Sequence, residues 1–563
     1  MRRSAPAQWA TLVLVVTLAL GAVALTPIAF APTAFAQSGS RIIDRDRLDN
    51  RPQIPAAPAQ PPPAATSNGP SAPPTSDETQ ILLHEIVVQG SAALPANVIH
   101  QTWQQDQNKT IPLREVYAIA DRIAAAYAKA GLALYKVDVP TQDFAPGIVH
   151  IRVVEGYVDA VTIQGDTAHG DLSLLQAYAA HIVAARPLLQ STVERYILLM
   201  NDIAGLTVGS TFEPIQGQPG AVRLVLTIAR KRFEEGIGVD NQGQAQLSRT
   251  SLEANIGVNS LLREGDRTQL VFGAPLTIDG YQFYGVVHRE PIGTDGATLQ
   301  FNAGYLTTRP AANEISGNAA TVGVRLSYPV IRALKESLVA SVEADALNAD
   351  NAELSDVLSD ERTRVLRGAL TYAVQDDAGD VSVASTTFSA GLNGLGARRG
   401  SAASGPPDFS KVIALLSREQ QLPLSFILRV MALGQFSGTE LPASEQFSYG
   451  GQQFGRSFDN GAVRGDRGFA ISAELAYPVQ AAWMPAFTGG SEVYGFGDYG
   501  RVFNVAETAI YKTDAGSSAG FGARTKLLEK VTLDLSVDRT LLQPREVSGH
   551  AAWRLVFAVH GTF

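Results

Sequence analysis

Cysteine is absent from all 563 residues, so disulfides and thiolate-bound metals are excluded, and the chain can meet an oxidising compartment unfolded without cross-linking. Histidine is scarce, at 8 residues with no spacing such as His-Glu-x-x-His, and no metal site is expected. Cationic residues are outnumbered: 45 Lys and Arg against 54 Asp and Glu leave a net charge of −9, which argues against nucleic acid as the main partner. After residue 36 no uninterrupted apolar run approaches the roughly 20 residues that a membrane-spanning helix needs. Two apparent enzyme motifs fail for want of context. Gly495-Phe496-Gly497-Asp498-Tyr499-Gly500 satisfies a dinucleotide fingerprint, but no βαβ unit surrounds it. Gly516-Ser517-Ser518-Ala519-Gly520 satisfies the hydrolase Gly-x-Ser-x-Gly, but it opens an apparent strand in place of a strand-to-helix elbow. No catalytic constellation, cofactor or nucleotide site is expected.

What is present divides the chain into regimes. Arg2 and Arg3, an apolar stretch over residues 9–24 and Ala34-Phe35-Ala36 before Gln37 predict a secretory signal over residues 1–36, with a permanent N-terminal anchor as the alternative. Residues 41–51 are charged and can form a short helix, or only a tail, within a segment 37–51. Residues 52–79 are rich in Pro and Ala, include Pro61-Pro62-Pro63, and read as an extended linker. Residues 80–230 read as compact α+β. Residues 85–90 form a strand ending at a Gly turn; Val116, Ile119, Ala120, Ile123 and Tyr127 recur at helical spacing; and residues 148–154 form a strand closed by Glu155-Gly156. The order then repeats loosely, with a strand at 159–164, helices near 173–185 and 193–203, and a strand at 222–229. Two small domains, 80–157 and 158–230, follow.

From residue 231 the period changes to two. Leu252, Ala254, Ile256 and Val258 alternate with Ser251, Glu253, Asn255, Gly257 and Asn259, and Leu533, Leu535 and Val537 alternate with Asp534, Ser536 and Asp538. A soluble β-sandwich alternates too, but these strands have the 9–11 residues that cross a bilayer at a tilt. The chain ends on Trp553, Leu555, Phe557 and Val559 at alternate positions and a terminal Phe563, like the C-terminal signal of bacterial outer-membrane barrels. At ~10 residues per strand and ~10 per connection, residues 231–563 hold about sixteen strands. The predicted fold is therefore mainly β: a transmembrane antiparallel barrel preceded by two α+β domains. A barrel of that width encloses an aqueous lumen that needs a plug.

Gly131, Val139-Pro140, Gln142, Gly147 and Val154-Glu155-Gly156, together with the Leu-rich run over residues 196–202, carry a resemblance to two-partner secretion transporters, the TpsB proteins of the FhaC/ShlB/HecB haemolysin secretion/activation type. The first set resembles the ShlB-type POTRA pattern and the run resembles the helix of a second POTRA domain, although Ala204 stands where the family's Pro is usual. Phe454-Gly455-Arg456-Ser457-Phe458, then Gly465, Asp466 and Gly468, resemble the long sixth loop of the barrel and the strand after it. Ser457 and Phe458 replace the family's Gly and Tyr, and Arg464 in Val463-Arg464-Gly465 is the fallback for the loop arginine. Phe496, Asp498 and Gly500 resemble the family's Phe-x-Asp-x-Gly strand. The resemblance implies a loop folded into the lumen with its Arg paired to Asp498, a plug helix at 41–51, and an outer-membrane pore with periplasmic POTRA domains. It also implies as partners a large secreted exoprotein of haemolysin or adhesin type, outer-membrane lipid, and the barrel-assembly machinery during biogenesis. Residues 149–154 and 222–228 are the candidate sheet edges for client capture. An assembly factor for other barrels and a solute porin are the alternatives.

Overall fold

The computed structural model describes residues 79–563 apart from 169, 244–246, 310–314, 354–355, 401–403, 480–486, 507–508, 510, 528–529, 546 and 548–552. The expected signal, plug segment and nearly all of the linker lie outside the described residues.

The first α+β unit contains β1 (Gln80–Leu83), β2 (Glu85–Gln89), α1 (Ala96–Gln101), β3 (Lys109–Pro112), α2 (Leu113–Lys129), β4 (Tyr135–Asp138) and β5 (Ile148–Glu155). The helical stripe read from sequence is the core face of α2: Val116, Ile119, Ala120, Ile123 and Tyr127 are completely buried against β5 residues such as Val149 and Ile151. Glu155 ties the end of β5 to this helix, its Oε1 accepting from the amides of Ala92 and Ala93 and from the Tyr127 hydroxyl, each at 2.8 Å. Burial, with Glu155 nearby, pushes the Tyr127 phenol well up. The Gln142 side chain acts as a short strand: its amide donates to the His150 carbonyl (2.8 Å) and its carbonyl accepts from the His150 N–H (2.7 Å), while its amide also donates to the Pro140 carbonyl. Gly147 has φ +73°, and a Cβ there would lie 2.3 Å from the Leu82 carbonyl, so a side chain is excluded. Gly156 likewise passes directly over Leu134.

The second unit follows without a linker: β6 (Tyr157–Gly165), α3 (Ser173–Ala184), α4 (Gln190–Asn201), β7 (Leu206–Pro214) and β8 (Ala221–Arg230). Ala133 and Leu134 of the first unit sit in the core of the second, and Ala133 N–H donates to Leu188 O at 2.9 Å, so the two are joined by a shared core. The sheet orders are β2-β5-β4 and β6-β8-β7. The expectation that residues 149–154 and 222–228 are sheet edges is therefore wrong: they are the central strands. A strand covered on both sides by neighbours and by helices is the most apolar one, and the free edges fall on the more polar β2, β4, β6 and β7.

The remaining strands are β9 (Phe233–Asp240), β10 (Ser251–Asn259), β11 (Arg267–Ala274), β12 (Tyr281–Ile292), β13 (Ala297–Thr308) and β14 (Ile315–Arg332). They continue as β15 (Glu336–Glu353), β16 (Asp356–Gln375), β17 (Val381–Gly391), β18 (Ser410–Gln421) and β19 (Ile427–Ser437). After a short ribbon of β20 (Phe447–Tyr449) and β21 (Val463–Gly465) come β22 (Arg467–Pro478), β23 (Phe487–Phe503), β24 (Thr513–Leu527), β25 (Val531–Leu542) and β26 (Trp553–Thr562). All except β20 and β21 form one closed antiparallel barrel of sixteen strands, with β26 pairing back onto β9.

Its burial is inside out. In β10, Ser251, Glu253, Asn255 and Asn259 are buried while Ile256 is exposed, and in β25, Asp538 is buried while Leu535 is exposed. Only an apolar solvent outside and a polar interior make that pattern favourable, and closure leaves no unpaired strand edge in the apolar layer. The turns at one mouth hold the second α+β unit. Glu264 accepts from the Leu174 N–H at the start of α3 (2.6 Å), Asp202 receives both arms of Arg332 (2.9 and 2.7 Å), and Arg195 reaches Asp295 (3.1 Å). Burial raises the Glu264 carboxyl above the ordinary carboxylate range.

Candidate functional site

A cavity of about 1900 Å³ runs inside the barrel, from Tyr178 and Leu199 of the second α+β unit to Phe454 and Arg456. Its far end is closed by residues 438–466, the sixth connection on the side opposite that unit, which folds inward. Charge on the lumen wall is paired across strands: Arg325 with Glu343 (2.6 Å), Arg429 with Glu474 and Glu492 (3.1 and 2.6 Å), and Arg524 with Glu492 and Asp534 (2.6 and 2.9 Å). Facing residues from different strands thus neutralise one another, and the wall offers polarity with little net field.

The loop is attached in two parts. At its base, Glu445 is fully buried and receives both arms of Arg367 (2.8 and 3.2 Å) and the Lys411 ammonium (2.9 Å), while Arg367 also pairs with buried Asp345 (2.8 Å). Glu361 accepts from the amides of Ala443 and Ser444 (2.9 and 3.2 Å). Asp466 accepts from the amides of Leu441 and Val505, both at 2.8 Å. Gly468 is required beside it, because a Cβ would lie 2.3 Å from the Phe447 ring, and Gly465 packs against Val502. Burying this many charges is tolerable only because each carboxylate is fully hydrogen-bonded.

Beyond the β20–β21 ribbon lies the tip. Phe454 and Phe458 are buried with Phe447, Tyr449 and Val463 in a small apolar cluster inside an otherwise polar lumen. The Tyr449 ring occupies the space above Gly500, where a Cβ would come within 2.1 Å of it, which gives that glycine a packing role. Gly455, at φ +72°, turns the chain so that Arg456 faces the wall. The Arg456 guanidinium lies 4.1 Å over the Phe496 ring and pairs with Glu474 at 2.8 Å. Ser457 Oγ is 2.9 Å from Thr540 Oγ1, and Asp459 receives Arg554 at 3.0 Å.

The expected pairing of the Arg456 side chain with Asp498 is not what forms. Asp498 accepts the Tyr449 hydroxyl (2.8 Å), the Ser518 hydroxyl (2.7 Å) and the backbone N–H of Arg456 (3.3 Å), so both oxygens are engaged, while the guanidinium turns to Glu474. Arg464 stands on the β20–β21 ribbon opposite Ser448, away from this contact. Phe563 is exposed, next to the β26–β9 closure, and its N–H donates to Glu235 O at 2.9 Å. Glu445, Glu361, Arg367, Lys411 and Tyr449 escaped the sequence reading. Glu445 and Arg367 are 78 positions apart, and nothing local marks either one; Tyr449, an aromatic directly before Gly450-Gly451, was the one visible signal.

The family model described as haemolysin secretion/activation protein ShlB/FhaC/HecB matches residues 221–523, and the ShlB-type POTRA domain matches residues 81–156. The heme/hemopexin transporter protein HuxB of Haemophilus influenzae is 23% identical over 460 residues, 77% of this chain and 78% of that protein. The outer membrane transporter CdiB of Dickeya dadantii is 22% identical over 428 residues, 70% of this chain and 72% of that one. The solved structure of CdiB from Escherichia coli superposes with a TM-score of 0.75 at 17% identity, covering 94% of this chain and all of that one, and so shares the fold. A sixteen-strand barrel with an inward sixth loop, two α+β units at its mouth and a family match across more than half the chain lead to one conclusion: this protein belongs to the haemolysin secretion/activation family ShlB/FhaC/HecB, and its barrel lies in the bacterial outer membrane with the POTRA domains in the periplasm.

Proposed function

We propose that the protein is the outer-membrane translocation pore of a two-partner secretion system, taking an unfolded exoprotein from the periplasm to the cell surface. The observation that carries this is the placement of the POTRA-type α4 helix at the rim of a polar, charge-paired lumen whose far end is closed by an inward loop. A client strand adds to a free edge, β2 or β4 of the first POTRA unit, or β6 or β7 of the second, through main-chain hydrogen bonds that need no particular client sequence. The paired lumen charges then let an extended polar chain pass without being held, since conduction needs sites weak enough to leave. The loop tip around Arg456 moves to open the far mouth while the Glu445 base stays fixed. No nucleotide drives the step; folding of the client outside the cell gives it direction. Gene deletion followed by mass spectrometry of medium and outer membrane tests the proposal. Loss of one or a few large exoproteins from the medium supports it. A general fall in barrel proteins points to an assembly factor, and altered solute uptake alone points to a porin.

A further inference from the structure

Strand register places six residues on one lumen-facing rung: Arg429 opposite Glu474, Glu474 opposite Phe496, Phe496 opposite Gly520, Gly520 opposite Asp538, and Asp538 opposite Arg554. Arg456 occupies one half of this rung, over Phe496 and paired with Glu474. On the other half, Asp538 is completely buried, with the Ser536 hydroxyl as a loose hydrogen-bonding neighbour and no salt bridge to a cation among the described residues. Its cross-strand neighbour Arg554 is turned away to Asp459 and the Asn241 carbonyl. The Nε of Arg456 is buried without a partner. Between the two halves stands Gly520, where a Cβ would lie 2.7 Å from both Asp538 Oδ1 and the edge of the Phe496 ring. The ring edge and the carboxylate thus close over this glycine and adjoin each other, with no side chain between them. Two positions along β25 from Asp538, Thr540 already touches Ser457, the neighbour of Arg456.

A buried carboxylate with a hydroxyl neighbour but no paired countercharge is costly unless some state of the protein supplies one. We propose that Asp538 is a second seat for Arg456: when the loop tip shifts, the guanidinium slides along the Phe496 face to the ring edge that adjoins Asp538, leaving Glu474 for Asp538. Asp538 is thus a positioning residue for the displaced tip. The Phe ring serves as a stepping stone, because its face attracts the cation throughout the transfer. The inference rests on the reading that the tip moves, but its test needs no exoprotein, so failure of the export proposal and failure of this one are distinguishable.

The first test is the structure of full-length Glu474→Gln protein in lipid nanodiscs. With its first seat neutralised, Arg456 is expected within about 4 Å of the Asp538 carboxylate, the reach of a charge pair; Arg456 still held by the substituted side chain at position 474, or moved to Asp498, overturns the proposal. The second test covers the case in which that variant does not fold, and measures single-channel openings in planar bilayers in KCl. Asp538→Asn is expected to shorten the open dwell about tenfold, as loss of a charge-assisted contact does, while Asp538→Glu keeps it near the parent. Equal dwell times for the parent and Asp538→Asn overturn the proposal.

Discussion

Neutralising Glu445 by Glu445→Gln separates the fixed base of the sixth loop from its movable tip. The glutamine keeps the shape of the side chain, but it removes the negative charge that the buried cations Arg367 and Lys411 share, while Arg367 keeps its pair with Asp345. Removing one partner of a buried ion pair costs about 3–5 kcal/mol, and each 1.4 kcal/mol is tenfold, so the equilibrium constant for docking the loop base should fall by roughly two to three and a half orders of magnitude. The strands of the barrel do not depend on this contact, and the variant should still insert and migrate as a heat-modifiable barrel. Two assays read the loop: conductance in planar bilayers, expected to show frequent large openings, and trypsin cleavage after Arg456 and Arg464, expected to become fast. Lys411→Gln added to Glu445→Gln removes one of the two cations and should restore part of the closed state. A Glu445→Gln protein with parental conductance and parental trypsin resistance would refute the reasoning.

Three other outcomes are expected. Because the native chain has no cysteine, Ser457→Cys with Thr540→Cys introduces a single disulfide-competent pair at side chains now 2.9 Å apart; oxidation should stop exoprotein release and reductant should restore it, and release unaffected by oxidation would mean that the tip does not move. Gly500→Ala forces a methyl group into the Tyr449 ring and should destabilise the seated loop by about 1–3 kcal/mol, read as raised conductance, whereas unchanged conductance would show that the ring shifts freely. At the POTRA rim, burial opposes the Asp295 charge, but a hydrogen bond from Tyr328, the Arg195 charge and hydrogen bonds from Arg195 and Tyr196 outweigh it and hold the carboxyl below its ordinary value of 3.8. A lowered carboxyl stabilises docking fully above 3.8 and loses that contribution as the pH falls through the lower folded value, so amide exchange in residues 190–201 should rise only under strong acid in the parent and already at about pH 7 in Asp295→Asn. Identical exchange in the two proteins at neutral pH would rule out that contact.

Much of the architecture is legible because it depends on period. The alternation around Ile256 and Leu535 states which solvent each face meets, and the spacing of Val116, Ile119, Ile123 and Tyr127 states which face of α2 is buried. Pairing partners are not legible. Residues 149–154 suggest an edge because they are strongly apolar, yet that apolarity follows from having β2 on one side and β4 on the other. The partner of Arg456 is misjudged from sequence for a related reason. Glu474 and Phe496 face each other only through a register set by two complete strands, and Asp498 is diverted by Tyr449 and Ser518, whose sequence positions do not show that they meet it. The extension of β14, β15 and β16 to 18, 18 and 20 residues likewise leaves no local mark.

The central claim is that an exoprotein passes through the lumen, and a photo-crosslinking amino acid placed on each face of one strand tests it during export. Thr371 lines the cavity, while its neighbour Leu370 is exposed on the lipid face of β16. Irradiation is expected to join the exoprotein to position 371 and not to position 370. Exoprotein adducts confined to position 370, or none at position 371 while export proceeds, would contradict passage through the barrel.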